Sequence, residues 1–482
     1  MRLAVIGTGP SGWSATKKLL SLGHDVTVID AGLVESDVTS DLRVGKSHLG
    51  KKMFFGSDLP YRTYPAGPSH ASSQVNPLFS FAKGGLSLVW GATMLPYSSE
   101  DTAEWPKHIS NLEKYFIEII GEIPVTGAPD GLSAAYGDFY SRNSISPSYR
   151  MIKLLESYSN LKDGGVLVGR SRLAVETGAP GVDGCVYCNK CITGCPSNLI
   201  WNSRDPIKGV TYLKLRLERI EEVSSGVNLE VIDFTGVSSI LEGFEKVFLA
   251  CGPIETFRIL ASSGLVEKTA VLKDSATFFL PLVALPKLGF RSDNSFGLAQ
   301  VFIRLGKSDS KPSSQYQLYE YADELISRAK NALPFGKLLP KTILKFVLKR
   351  MMVSIGYLDG KFSPSIKINL LENGSVLTEL NSAGVTIKQR NQRIQESIKR
   401  LSQSVISHGL LPLGSLTQIA LPGEGVHFGA WLPMGERSDL LGRPNGCQNI
   451  HVVDSSVLPT IAPGPITFTV MANARRIAEQ LV

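Results

Sequence analysis

The chain has 482 residues, enough for two domains or one elaborated domain, each with a full core. With 43% hydrophobic and 19% charged residues, and no apolar run long enough to cross a bilayer, it has the composition of an ordinary globular protein. A formal net charge of +7 suits an acidic substrate or an anionic surface and is too weak to argue for nucleic acid.

The opening "MRLAVIGTGPSG" runs from a short apolar stretch straight into glycine, without the charged start, apolar core and cleavage site of a signal peptide. It reads as a buried first strand, which predicts a cytoplasmic protein beginning at Met1. Residues 2–6 form the strand, Gly7-Thr8-Gly9-Pro10-Ser11-Gly12 a turn, and a helix continues to about Leu20. A second strand, "DVTVID", ends at Asp30, eighteen residues after Gly12. This strand–turn–helix–strand order is the context in which a glycine pattern signals a dinucleotide. Gly7 permits the turn, Gly9 lets the backbone approach a pyrophosphate, and Gly12 lets helix and strand pack closely. Free N–H groups at the helix start favour phosphate, and Asp30 is placed to bond a ribose. The pattern alone leaves FAD and NAD open.

Further along, "SNLEKYFIEII" predicts an amphipathic helix opened by a Ser110–Glu113 capping box. Then four of the six cysteines, Cys185, Cys188, Cys191 and Cys195, fall within eleven residues. Disulfides so close together are geometrically awkward, and a reducing compartment favours metal over disulfide. The spacing Cys-x2-Cys-x2-Cys-x3-Cys-Pro is that of a bacterial ferredoxin loop; zinc sites usually pair two knuckles farther apart, and a structural zinc knot is the alternative. Cys251 and Cys447 are expected as buried thiols.

The segments "TYLKLRLERIEEV", "VNLEVIDFTG" and "EKVFLACG" read as consecutive strands, ending at Cys251-Gly252-Pro253 before a helix. Residues 265–415 mix strands with helices. Within them Lys337, Lys341, Lys345 and Lys349 recur every fourth residue among Ile343, Leu344, Phe346, Val347 and Met351. A helix from near Pro340 would carry a basic stripe beside an apolar face, which suits an anionic membrane or an ordinary solvated surface. "IHVVDSSVLPT" is a strand entering a loop, and "TFTVMANARRIAEQL" a final helix.

Four of these segments together resemble the glucose–methanol–choline (GMC) oxidoreductases: the glycine turn with Asp30, "GGLSLVWGATMLPY" (84–97), "LACGPIETFRIL", and "HFGAWLPMG" with "VVDSSVLPT" and "TFTV". They span most of the chain in the family's order. The resemblance implies an α/β fold: a Rossmann-like FAD-binding domain plus a discontinuous α+β substrate domain with a mainly antiparallel sheet and an iron–sulfur loop. Its expected parts are residues 1–65 and 205–265 for FAD, 66–204 for flavin loop, cap and iron–sulfur insertion, 266–415 for substrate, and 416–482 for catalysis and FAD.

The same resemblance implies the site. Gly84, Gly85, Ser87, Trp90 and Gly91 would form the flavin loop. Val89 stands where some members attach FAD through histidine, so FAD would be dissociable here. Gly252 and Asp454 would lie near the cofactor. The helix start at Thr467 would aim its dipole at the flavin, where negative charge is favoured. His427, with Met434 and Gly435 seven and eight residues on, matches the family's catalytic histidine and would take the hydroxyl proton. Two departures stand out. Ala430 and Trp431 replace the usual glycine and threonine, and Pro465 falls where a second His or Asn normally helps hold the substrate oxygen; proline offers neither side-chain donor nor N–H. Membrane-linked sugar dehydrogenases of the family bind a three-iron cluster through Cys-x5-Cys-x3-Cys-Pro, matched by Cys185, Cys191 and Cys195.

The expectation is therefore a dehydrogenase of a sugar, polyol or related alcohol. It holds FAD and one iron–sulfur cluster (4Fe-4S on four thiolates, or 3Fe-4S on three). Electrons pass to an external one-electron acceptor (ferredoxin, cytochrome or quinone), with oxygen a poor acceptor and the membrane's inner face a site of peripheral contact. The rivals are a reductase running the opposite way and a non-catalytic electron-transfer subunit.

Overall fold

A computed structural model describes residues 1–37, 57–159, 165–178, 184–289, 295–306, 313–320 and 340–481. The nucleotide half is built on five strands: β1 (Arg2–Ile6), β2 (Asp25–Asp30), β3 (Thr211–Lys214), β4 (Lys246–Leu249) and β5 (Ile450–Val452). They lie parallel in the order β5-β4-β1-β2-β3. A parallel sheet is covered on both faces, and β1 has the apolar run this requires. Leu3 and Val5 pack among Ala15, Leu19, Ala474 and Ile477 of two helices, α1 (Pro10–Ser21) and the C-terminal Thr467–Glu479. Ala4 and Ile6 face the other way, into a core with Leu217, Val231 and Ile254. The two helices meet where Ser14 donates its hydroxyl to the Met471 carbonyl at 2.8 Å.

The second layer is an antiparallel meander, Arg216–Val223, Gly226–Ile232 and Ser238–Phe244. The stretch read as one strand over 211–223 is thus two. Leu215 donates its amide to the Asp30 carbonyl at 3.0 Å, and beyond it the chain leaves the parallel sheet for the meander.

The other half carries an antiparallel sheet whose neighbours run Leu410–Pro412, Thr277–Ala284, Met351–Leu358, Ser314–Glu320, Val301–Leu305 and Val166–Arg170. Helix Ile387–Val405, opened by a Thr386–Gln389 capping box, covers one face with Ile394, Ile398, Leu401 and Val405 against Phe278, Leu280, Tyr316 and Leu318. By alternation, Thr277, Tyr357, Gln315, Gln317 and Tyr319 occupy the opposite face.

Several expectations change. The helix after Trp105 begins at Glu113 with Leu112 at its N-cap and no side-chain cap, because residues 107–110 form a separate helical turn; Ser110 is therefore not the N-cap that the expected capping box requires. The basic helix spans Lys341–Leu348, and Lys349 lies in a turn while Met351 opens a strand, so the stripe is two turns long. Ile343 and Val347 are exposed on it; Lys337 and the side chains of Lys341, Leu344, Lys345 and Phe346 lie outside the described residues. Cys251 and Cys447 are half-buried rather than buried. Among the described residues no helix is long and apolar enough to cross a membrane.

His451, in β5, is fully buried, shares a hydrogen bond with the Leu441 carbonyl through Nδ1 (3.0 Å) and stacks on Phe248. Burial holds its pKa down at about 4. Between pH 6.5 and 4 the unfolded chain binds a proton there that the folded chain refuses. The stability His451 contributes is intact above pH 6.5 and is lost as pH falls through 4, up to roughly 3 kcal/mol. The difference in melting temperature between His451→Gln and the parent should therefore shrink as pH is lowered over that window. A difference that stays constant would show that His451 does not titrate.

Candidate functional site

The glycine turn is tightly fixed. Gly7 has φ +101°, and a Cβ there would lie 2.6 Å from the Ala250 carbonyl oxygen. A Cβ on Gly12 would lie 2.0 Å from the Gly7 carbonyl oxygen. Gly9 differs: its φ of −61° suits any residue, and an added Cβ would meet no protein atom within 4 Å. It is also the N-cap of α1, with no side chain capping the helix and Pro10 at its first position, so first-turn amides are left unbonded by any cap. Ser11 and Gly12 are buried just behind it. A turn that leaves open space over a helix N-terminus fits a pyrophosphate.

Asp30 closes this turn. Its Oδ2 accepts from the Thr8 amide (2.6 Å) and hydroxyl (2.9 Å), its Oδ1 from the Gly32 amide (2.6 Å). Burial pushes its pKa up to about 6 against those donors. Asp30 thus shapes the turn from within and keeps acceptor capacity for a ribose hydroxyl.

The loop at 84–91 lies against the turn. The Gly84 amide donates to Thr8 Oγ1 (2.8 Å), and a Cβ on Gly85 (φ +60°) would approach the Gly9 Cα to 3.7 Å. Ser87 is turned inward: its hydroxyl donates to the Gly84 carbonyl (2.6 Å) and accepts from the Ser203 amide (3.1 Å). Trp90 donates Nε1–H to the Trp201 carbonyl (2.9 Å), and Trp201 meets Trp90 and Trp13 edge-on, at ring separations of 6.0 and 5.3 Å. Gly91 is open toward Tyr319, whose hydroxyl a Cβ would approach to 3.5 Å.

Asp454 accepts from the Thr256 hydroxyl (2.6 Å) and the Ser456 amide (2.9 Å). It ties the helix that follows Gly252 (φ +79°) to the C-terminal loop, with its pKa raised by burial. The last helix starts at Thr467 after Ile466, again uncapped, while Thr469 Oγ1 accepts the Tyr97 amide (2.9 Å). The helices that start after Gly9, Gly252 and Ile466 thus all lack a capping side chain.

His427 sits on a strained loop. Val426, which precedes it, has φ +58°, a genuine outlier for a β-branched residue, and Ala430 has φ +53°. The loop is bolted down: Ala430 and Leu432 donate amides to the Ser455 and Ser456 carbonyls at 2.8 and 3.0 Å. The imidazole packs on the Tyr357 ring at 4.8 Å, and its Nδ1 is buried without a hydrogen-bond partner among the described residues. Burial lowers its pKa to about 4, so the ring is neutral at pH 7. Tyr357 belongs to a cross-strand row, Thr277–Tyr357–Gln315, on the face of the antiparallel sheet turned away from helix 387–405. Gln315 and Gln317 are 1% and 2% exposed. Neither amide atom of Gln315 nor Nε2 of Gln317 has a partner among the described residues, while Tyr319 donates to Gln317 Oε1 (3.1 Å). Sequence reading missed this face. Its signal was the alternation in "SQYQLYE", where Gln315 and Gln317 flank Tyr316 and alternate with Tyr316 and Leu318.

The cysteine loop lies beside the 84–91 loop, across an open cleft of about 440 Å³ lined by Lys83, Leu88, Trp90, Cys195 and Arg204 among others. Left-handed backbone at Tyr187, Asn189 and Gly194 winds the loop. The Tyr187 amide donates to Cys185 Sγ (3.4 Å) and the Gly297 amide to Cys191 Sγ (3.3 Å). Burial and the neighbouring thiols push both pKa values up, that of Cys191 to about 11. Among the described residues no three Cys, His, Asp or Glu converge as a ligand set for one metal ion. Two of the four thiols, Cys185 and Cys191, thus receive amide N–H groups.

No family model matches the sequence, and no curated protein matches it. Among solved structures, pyridoxine 4-oxidase from Mesorbium loti superimposes with a TM-score of 0.62 at 14% identity, covering 100% of this chain and 99% of that one. The likeness is one of fold and runs end to end.

Proposed function

We propose that the chain is an FAD-dependent oxidoreductase that oxidises the CH–OH group of a sugar, polyol or related alcohol. The observation that carries this reading is His427. It is a neutral imidazole on a strained loop, set against a buried polar sheet face beside the glycine loop. Gly7, Gly9, Pro10, Ser11, Gly12 and Asp30 would hold the dinucleotide, Gly84, Gly85, Ser87, Trp90 and Gly91 the ring, and Gly252, Asp454 and Thr467 its remaining contacts. Bound FAD would supply the hydride acceptor. His427 takes the hydroxyl proton while Tyr357 orients its ring, and the enclosing sheet face keeps water from the reacting carbon. The likeness to a protein named as an oxidase of pyridoxine supports an alcohol substrate.

For the four cysteines we propose one iron–sulfur cluster as the outlet for electrons, on the strength of their spacing and the N–H···S contacts. Protein purified without air should contain flavin and iron in its absorption and EPR spectra, with little zinc. Metal and flavin quantification checks both cofactors at once. Zinc in place of iron would remove the cluster and leave the flavin reading intact. Bleaching of the flavin by alcohols under argon, followed by reoxidation with ferricyanide faster than with oxygen, would mark a dehydrogenase. Fast reoxidation by oxygen would mark an oxidase.

A further inference from the structure

We propose that Gln315 supplies the second hydrogen bond to the reacting hydroxyl of the substrate, the contact Pro465 cannot make; this rests on the alcohol-oxidising reading above. The side chain points at the Pro465 loop. A Cβ on Gly464 would fall 1.8 Å from Gln315 Oε1, and Gly464 itself has φ +116°, so glycine there leaves room for this amide. On its other side Gln315 stands directly opposite Tyr357, whose ring carries His427. The amide thus adjoins the Pro465 loop, on a strand paired with the one that carries Tyr357.

Gln315 is 1% exposed, and both its donor and its acceptor are without partners among the described residues, so either orientation of the amide leaves two unmet groups. Burying such a group is costly unless something completes it. The reacting hydroxyl, whose one proton goes to His427, accepts from Nε2, and a neighbouring hydroxyl of the same substrate donates to Oε1, whereas a carboxylate or an ammonium matches only one of the two. No free charge competes in this row. Arg304, the next residue along, is paired with Asp101 and Glu100 at 2.9 Å. Gln317, two residues on and on the same face, offers its unmet Nε2 to a second hydroxyl. The chemistry selects an uncharged alcohol with more than one oxygen.

The test compares the flavin-loaded parent with Gln315→Met, which keeps the shape and removes the hydrogen bonds. Gln315→Asn serves as a second variant, drawing the amide back by one methylene. The probe is whichever of glucose, glycerol, benzyl alcohol and pyridoxine bleaches the parent's flavin fastest under argon. Both variants should retain flavin, and Gln315→Met should melt no lower than the parent. Both should show a limiting bleaching rate reduced about a hundredfold, with an unchanged pH limb. Bleaching within twofold of the parent overturns the assignment of Gln315 and leaves the reading of His427 standing. Loss of flavin in both variants overturns it too, by showing that the amide serves the cofactor. A parent bleached by none of the four alcohols overturns the inference together with the function it rests on.

Discussion

His427→Ala is expected to slow reduction of bound flavin by alcohol about a thousandfold while flavin content and melting temperature stay near the parent's, since general-base catalysis contributes roughly 10²–10⁴-fold. Among the described residues the side chain's Nδ1 has no hydrogen-bond partner that would hold the fold. The loop is fastened instead by backbone bonds to Ser455 and Ser456, and the Ser275 amide donates to the His427 carbonyl at 3.0 Å. Alanine preserves all of these. The pH dependence is the second signature. Because burial holds the pKa at about 4, the base is competent throughout the neutral range, and kcat/KM should fall only as pH drops toward 4, not near 6.5. A limb at pH 6.5 would mean that a more exposed group is the base. Full activity in His427→Ala would remove the acid–base step from this residue and favour an electron-transfer subunit.

The nucleotide half was legible because its signals are local. Gly12 is required by its contact with the Gly7 carbonyl within the same turn and Gly7 by its φ of +101°, and the strands around them are apolar runs buried in a parallel sheet. The Ser110 box misled because local spacing cannot say where a helix starts. A turn at 107–110 takes up that stretch, and the helix begins after Leu112. The polar sheet face was illegible for a different reason. Gln315 comes from a strand some 110 residues before His427, and only the pairing of Ser314–Glu320 with Met351–Leu358 brings it beside Tyr357. Pro465 read as a missing group in sequence, but in space the deficit is local to one loop, and a glutamine from another sheet stands next to it.

Gly9 and Gly12 should separate cofactor binding from folding. A side chain at Gly12 would drive Cβ to 2.0 Å from a backbone oxygen and 3.2 Å from the Ala250 Cβ, and neither β1 nor α1 can yield without opening the core they share. Gly12→Val should accordingly give insoluble protein or a melting temperature far below the parent's. At Gly9 the backbone already has the extended geometry that valine prefers, φ −61° and ψ 175°, and no protein atom lies within 4 Å of the new Cβ. Gly9→Val apoprotein should therefore melt within about 2 °C of parent apoprotein. Its FAD affinity should nonetheless fall at least about a hundredfold, because the space the valine fills is where a pyrophosphate approaches the helix N-terminus. Thermal melts of both apoproteins, followed by flavin titration monitored by fluorescence, make the comparison. Parent-like FAD binding by Gly9→Val would place the phosphates elsewhere, and with them the whole orientation of the ring toward His427.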